Sequence, residues 1–156
     1  MAKGHHYSLT MEWTGNIGEG TRDYKSYDRS YQIKSEFKPD IAGSSDPAFR
    51  GDKTKYNPEE LLLASLSSCH MLWFLHLCSE SDIIVLEYRD QPSGVMTEDL
   101  QGGKFSKVTL NPIVKVKLAS MIDKAKHLHN KAHELCYIAN SVNFPVLHHA
   151  KIFSAD

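Results

Sequence analysis

The stretch NPEELLLASLSSCHMLWFLHLC, Asn57 to Cys78, constrains the fold of this chain more than any other. Asn57 is placed as an N-cap, Pro58 at the first helical position, and Glu59 and Glu60 in the first turn beside the positive end of the dipole. The residues that follow are apolar on most faces, which predicts a central, buried helix. Ser67, Ser68, His70 and His76 interrupt the run and leave it short of a membrane span. At its middle stands Cys69. A free cysteine on such a helix reads by default as a small core hydrophobe.

The remaining segments predict sheet around that helix. HYSLTMEW reads as a first strand, and TRDYKSYDRSYQIKSEF (Thr21 to Phe37) alternates as a half-buried strand or pair of strands. KPDIAGSSDPAFRGDKTKYNP is rich in Pro, Gly, Ser and Asp and reads as loop; a loop this long is more often functional than idle. IIVLEYRD and KVTLNPIVKVKLA are strand candidates separated by the turn-rich QPSGVMTEDLQGG. Lys115 and Lys117 alternate with Val114, Val116 and Leu118, so one face of that strand meets water. A second helix is predicted from about Asp123 to Asn140, with Ala125, Leu128, Ala132, Leu135, Cys136 and Ala139 as its buried stripe. FPVLHHAKIF closes the chain as a strand. The order predicts one α+β domain over residues 1–156, mainly antiparallel sheet packed around two cysteine-bearing helices.

Bulk charge narrows the function classes. The 156 residues carry a formal net charge of −1, so neither nucleic acid nor an anionic membrane is an expected partner. Three cysteines do not make a secreted disulfide framework, and MAKGHHYSLTMEW lacks the pattern of a signal peptide. The expected location is the reducing cytoplasm, where a pair of cysteines is more often redox-active than structural.

Cys136 weighs against the bland reading of Cys69. Both are placed on apolar helix faces, two such helices in a small domain pack together, and a Cys69–Cys136 redox couple becomes plausible. Leu62, Leu66, Leu72, Trp73 and His76 share the helical face of Cys69 and would surround its thiol. Cys78 reads as a spare structural thiol. His129 and His133 are one turn apart, with Cys136 three further on; with Cys69, His70 or His76 they offer a weaker zinc alternative. Against it, the usual ligand spacings are missing, and His127, His129 and His133 stand among Lys124, Lys126 and Lys131 on an expected solvated face. Arg50, Lys53 and Lys55 precede the first helix, and a nearby guanidinium favours a thiolate.

Two motifs carry a family likeness. NPEELLLASLSSC resembles the signature NPEEL-x(7)-C of the OsmC/Ohr family, the osmotically inducible and organic hydroperoxide resistance proteins. AHELCYIANS (Ala132 to Ser141) resembles the second-cysteine motif of its hydroperoxide resistance branch. The likeness spans nearly the whole chain. It departs at His70, where the family commonly has an aromatic residue, and at Tyr137, where it has a proline.

The resemblance implies a peroxiredoxin-like organic hydroperoxide reductase built as an intertwined homodimer. Cys69 would be the peroxidatic nucleophile, oxidised to a sulfenic acid, and Cys136 would condense with it to a disulfide. A dithiol, often a protein-bound lipoyl group, would restore the pair. No metal, haem or flavin cofactor is implied. Glu59 would hold an arginine that polarises the peroxide. AFRGD nominates Arg50 for that role, GTRDY nominates Arg22, and YDRSY offers Arg29; Arg50 is favoured because its loop leads into the cysteine helix. Glu59 and Cys69 are separated by about 15 Å along a helix axis at about 1.5 Å per residue, so a long arginine or a partner subunit has to link them. The alternative is a non-enzymatic small-molecule-binding or stress protein whose cysteines line a cavity.

Overall fold

A computed structural model describes residues 3–100 and 102–156 of the chain. They divide into two compact units, Met1–Leu61 and Leu62–Asp156.

The first unit is a three-stranded antiparallel sheet, in which β1 (Thr10–Trp13), β2 (Tyr31–Lys34) and β3 (Ile41–Gly43) lie in sequence order. Only Tyr31–Lys34 of the alternating 21–37 segment is strand. The segment's first half is turn, where Asp23 Oδ1 accepts from Lys25 N–H at 2.7 Å and a bridge joins Asn16 to Tyr27. The expected loop after it holds β3 and a short 3-10 turn, Pro47–Phe49, started by the Asp46 side chain accepting from Ala48 N–H at 2.7 Å. Gly43 pairs with Tyr31 across the sheet, and the Tyr31 ring occupies the space a side chain at 43 would need.

Helix α1 (Pro58–Glu80) starts as the sequence predicts. Asn57 Oδ1 accepts from Glu60 N–H at 2.8 Å and Glu60 Oε2 accepts from Asn57 N–H at 3.1 Å, a reciprocal capping box. By length and composition alone α1 reaches the measure of a membrane span, with a mean hydropathy of 1.6, where the sequence reading put it short of one. Its stripe Leu66, His70, Phe74 and Cys78, one residue per turn, is nevertheless buried as in a core helix.

In the second unit two mixed sheets form: β4 (Val85–Arg89), β7 (Ile113–Val116) and β9 (Lys151–Ser154) in one, β5 (Ser93–Asp99), β6 (Gly102–Leu110) and β8 (Val146–His148) in the other. The antiparallel pairs β4–β7 and β5–β6 are extended by parallel pairs β7–β9 and β6–β8. The segment read as a turn before β6 is thus strand β5, and the closing segment is two strands, one in each sheet. Asn111–Pro112 breaks the KVTLNPIVKVKLA run, and the Asn111 N–H is held by Asp90 Oδ1 at 2.7 Å. Val114 and Val116 are fully buried and Lys115 is not, as the alternation predicts, but Leu118, beyond the end of β7, is exposed.

Helix α2 (Ile122–Leu135) is shorter than expected. The chain leaves the helix at Cys136, whose backbone is extended (φ −68°, ψ 106°), and resumes as a 3-10 turn over Ala139–Ser141. Asn140 Nδ2 donates to the Glu134 carbonyl at 3.0 Å and takes up one of the free helix-end acceptors. One apolar cluster gathers Phe74, Cys78, Ile83, Val114, Val116, Ala125 and Ala132; a second gathers Leu66, Val108, Leu110 and Val146. The architecture is α+β.

Candidate active site

Cys69 lies at mid-length of α1 and is half-buried. The Cys136 thiol, on the bend that follows α2, lies near enough to the Cys69 thiol for the two sulfurs to interact electrostatically. Placing the second cysteine just past the helix end, not within the buried stripe, frees its backbone from the helix geometry. Its N–H donates to the His133 carbonyl at 3.3 Å, and its sulfur accepts from Ala139 N–H at 3.4 Å. Burial pushes the Cys136 thiol up to about 11; the Ala139 N–H opposes that shift, and the adjacent Cys69 sulfur adds to it. Both thiols are free. Beside them Trp73, one turn on from Cys69, meets the ring of Tyr137 edge to face with centroids 5.6 Å apart.

The apolar lining expected around Cys69 is only partly present. Leu66 is buried, but Leu72 is 62% exposed and His76 is exposed. The buried stripe of α1 runs through His70, about 100° around the helix from Cys69. Cys78 belongs to the apolar core and burial pushes its thiol up to about 12, as a structural thiol requires.

The acid and base candidates of the first unit are placed as follows. Glu59 Oε2 is buried without a hydrogen-bond partner among the described residues. Burial, and secondarily the Glu59 charge, raises the Tyr31 hydroxyl above its ordinary value. Arg22 is exposed and ion-paired with Glu19 and Asp23. Arg29 donates to the carbonyls of Tyr27 and Tyr24, both at 2.6 Å, and stacks over both rings. Arg50, in the left-handed region (φ 65°), is exposed, with its guanidinium 6.0 Å from the Tyr24 ring centre. None of the three is ion-paired with Glu59 among the described residues.

Two histidines that the sequence offers only to the zinc alternative are buried in the second unit. His70 and His129 are 0% and 1% exposed, and His70 Nε2 meets His129 Nδ1 at 2.9 Å with the rings nearly parallel. His129 was expected on the solvated face of α2. It is buried because it shares the Ala125–Ala132 stripe, while Lys124, Lys126, His127 and Lys131 point to water. The signal was its spacing, four after Ala125 and three before Ala132. Phe74 stacks on His129 with centroids 3.9 Å apart, and His148 lies 5.4 Å from His70 and 6.1 Å from His129. Burial first, then the charges of His148 and His133, hold His70 down to about 4; burial, then His70 and His148, hold His129 down to about 3. The two rings spend their facing nitrogens on each other, and their outer nitrogens, His70 Nδ1 and His129 Nε2, lie at opposite ends of the pair. No group of three His, Cys, Asp or Glu side chains among the described residues is arranged to hold a metal ion.

A family model described as OsmC-like protein matches residues 51–149, which include both cysteines and the capped start of α1. The chain belongs to the OsmC-like family. Among solved structures, an OsmC-like protein of unknown function from Vibrio cholerae superimposes with a TM-score of 0.86 at 28% identity, over 95% of this chain and 100% of that one. An organic hydroperoxide resistance protein from Legionella pneumophila gives a TM-score of 0.68 at 17% identity, over 96% of this chain and 98% of that one. Another from Elizabethkingia anophelis, with thiocyanate bound, gives 0.66 at 18% identity, over 97% and 99%. No curated protein matches the chain. In this OsmC-like chain the resemblance read from the two cysteine motifs therefore holds, and the α+β fold is that of the family.

Proposed function

We propose that this OsmC-like protein is a thiol-dependent reductase of organic hydroperoxides. The observation that carries the reading is the proximity of two free thiols, Cys69 on α1 and Cys136 just past α2, close enough to interact electrostatically. Cys69 is the less buried residue of the two, so it takes the part of the nucleophile. Its thiolate attacks one peroxide oxygen, the O–O bond breaks, and the alkoxide leaves with a proton as alcohol, leaving a sulfenic acid. Cys136 then displaces hydroxide from that sulfur, closing a disulfide and releasing water once a proton is added. An external dithiol, such as a protein-bound lipoyl group, returns two electrons by thiol–disulfide exchange. The high Cys136 value keeps it a thiol at neutral pH, a group that acts second.

Glu59, with Arg50, Arg22 or Arg29, is proposed to polarise the peroxide, in keeping with the family resemblance. The working form is proposed to be a homodimer in a reducing cytoplasm. The exposed Leu72 on α1 and the exposed apolar side chains of β1, Met11 and Trp13, support a covering partner copy. The test is stoichiometric. Reduced protein treated with cumene hydroperoxide is expected to lose two thiols per chain, and Cys136→Ser to form no intramolecular disulfide. An unchanged thiol count at modest peroxide excess overturns the reading.

A further inference from the structure

The His70–His129 pair is costly where it stands. Two imidazoles are buried and make one hydrogen bond between them, while His70 Nδ1 and His129 Nε2 have no partner among the described residues. In the neutral pair one ring donates and the other accepts, so one outer nitrogen keeps an unmatched proton and the other an unmatched lone pair. Two apolar side chains of similar volume would fill the same space without that penalty. What the polar pair adds is direction. Its one bond runs from α1 to α2, and it forms only when the two rings meet nitrogen to nitrogen.

The bond is also sited next to the thiols. His70 follows Cys69 directly on α1, and His129 lies one turn before His133, whose carbonyl holds the Cys136 N–H. Phe74 stacks on the His129 ring and His148 flanks both rings, so neither imidazole can turn away from the other without breaking a ring contact. We propose that His70 and His129 are positioning residues whose mutual hydrogen bond sets α1 against α2 at the register that brings the Cys69 sulfur to Cys136. The inference rests on the Cys69–Cys136 couple proposed above. It assigns the histidines no contact with the peroxide.

The experiment is an equilibrium of the full chain with oxidised and reduced dithiothreitol near pH 7. Protein dithiol and oxidised reagent exchange to protein disulfide and reduced reagent, two electrons and two protons passing between them. The fraction carrying Cys69–Cys136 is read by acid quench and mass spectrometry. His70→Phe and His129→Phe each fill the space but remove one end of the bond. Each is expected to lower the exchange constant roughly tenfold or more, because the sulfurs lose their fixed approach. The double variant should lose no more than the worse single, since both break one bond. His70→Gln places an amide nitrogen near the Nε2 position and His129→Asn places an amide oxygen near Nδ1; both are expected within about twofold of the parent.

Unchanged constants in both Phe variants, or losses that multiply in the double, would overturn the proposal. Should the Phe variants not fold, the unaltered protein still decides. Long-range proton–nitrogen NMR near pH 7 is expected to show one facing ring nitrogen as donor and the other as acceptor, joined by a slowly exchanging proton. Two freely exchanging rings would contradict it. If the exchange constant responds as expected while peroxide consumes no thiol, the positioning role stands and the peroxidase reading alone falls.

Discussion

Cys136 and Cys78 make an instructive pair. Each is 1% exposed, each lies at or near a helix end, and burial raises both thiols, to about 11 and about 12. Their surroundings differ in one respect. Cys78 packs in the cluster of Phe74, Ile83 and the valines of β7, and its thiol is shifted by burial alone. Cys136 sits where the helix has broken, with the Ala139 N–H on its sulfur and a second thiol beside it. Burial alone therefore does not separate Cys78 from Cys136, the cysteine proposed to resolve; the partner and the released backbone do.

The largest expected effect comes from removing one of the two. Cys136→Ser should abolish the intramolecular disulfide after peroxide treatment, whereas Cys78→Ser should leave its yield unchanged, as read by non-reducing mass spectrometry. A disulfide surviving in Cys136→Ser would break the comparison. The converse holds for stability. Cys78→Ala should cost about 1–2 kcal/mol in urea unfolding, from lost apolar burial and a small cavity.

Acid comes next. The two buried histidines have folded values of about 4 and about 3, against an ordinary 6.5. The unfolded chain binds the extra protons, so their contribution is whole above the ordinary value and is lost as pH falls through it toward the folded values. For His70 alone the loss is about 3 kcal/mol across that range. The pair faces His133 and His148, and Tyr88, whose hydroxyl is also buried without a partner among the described residues, and no carboxylate there takes up the added charge. Because Phe74 packs on both His129 and Cys78, acid should expose Cys78 to dithiodipyridine, a reagent that labels thiols in acid. Labelling of Cys78 that stays flat from neutral pH down to pH 4 would contradict this.

The smallest effect is local. Asn57→Ala removes the capping box and should cost about 1 kcal/mol in thermal or denaturant unfolding, without altering which thiols pair. A change in pairing would mean that the start of α1 also governs the cysteine register.

The sequence made α1 legible because Asn57, Pro58 and Glu60 all mark one end and the apolar run is long. It made the two cysteine motifs legible through their fixed local spacing. Strand β5 escaped because every residue of Ser93–Asp99 is exposed, so burial imposes no alternation on it. The parallel pairs β6–β8 and β7–β9 escaped because tertiary closure, not local pattern, selects them. The end of α2 was misplaced because Cys136 and Tyr137 carry no helix-stop chemistry; the stop is supplied by Asn140 reaching back to Glu134. His129 was misassigned because neighbouring lysines outweighed its spacing from Ala125 and Ala132.

The central claim, that Cys69 and Cys136 form the working couple while Cys78 is packing, is tested most directly by peptide mapping. Reduced protein is given one equivalent of cumene hydroperoxide, alkylated under denaturing conditions and digested without reduction. The account predicts a single linked pair of peptides carrying Cys69 and Cys136, with Cys78 alkylated in full. A link through Cys78, or three alkylated cysteines and no link, would contradict it.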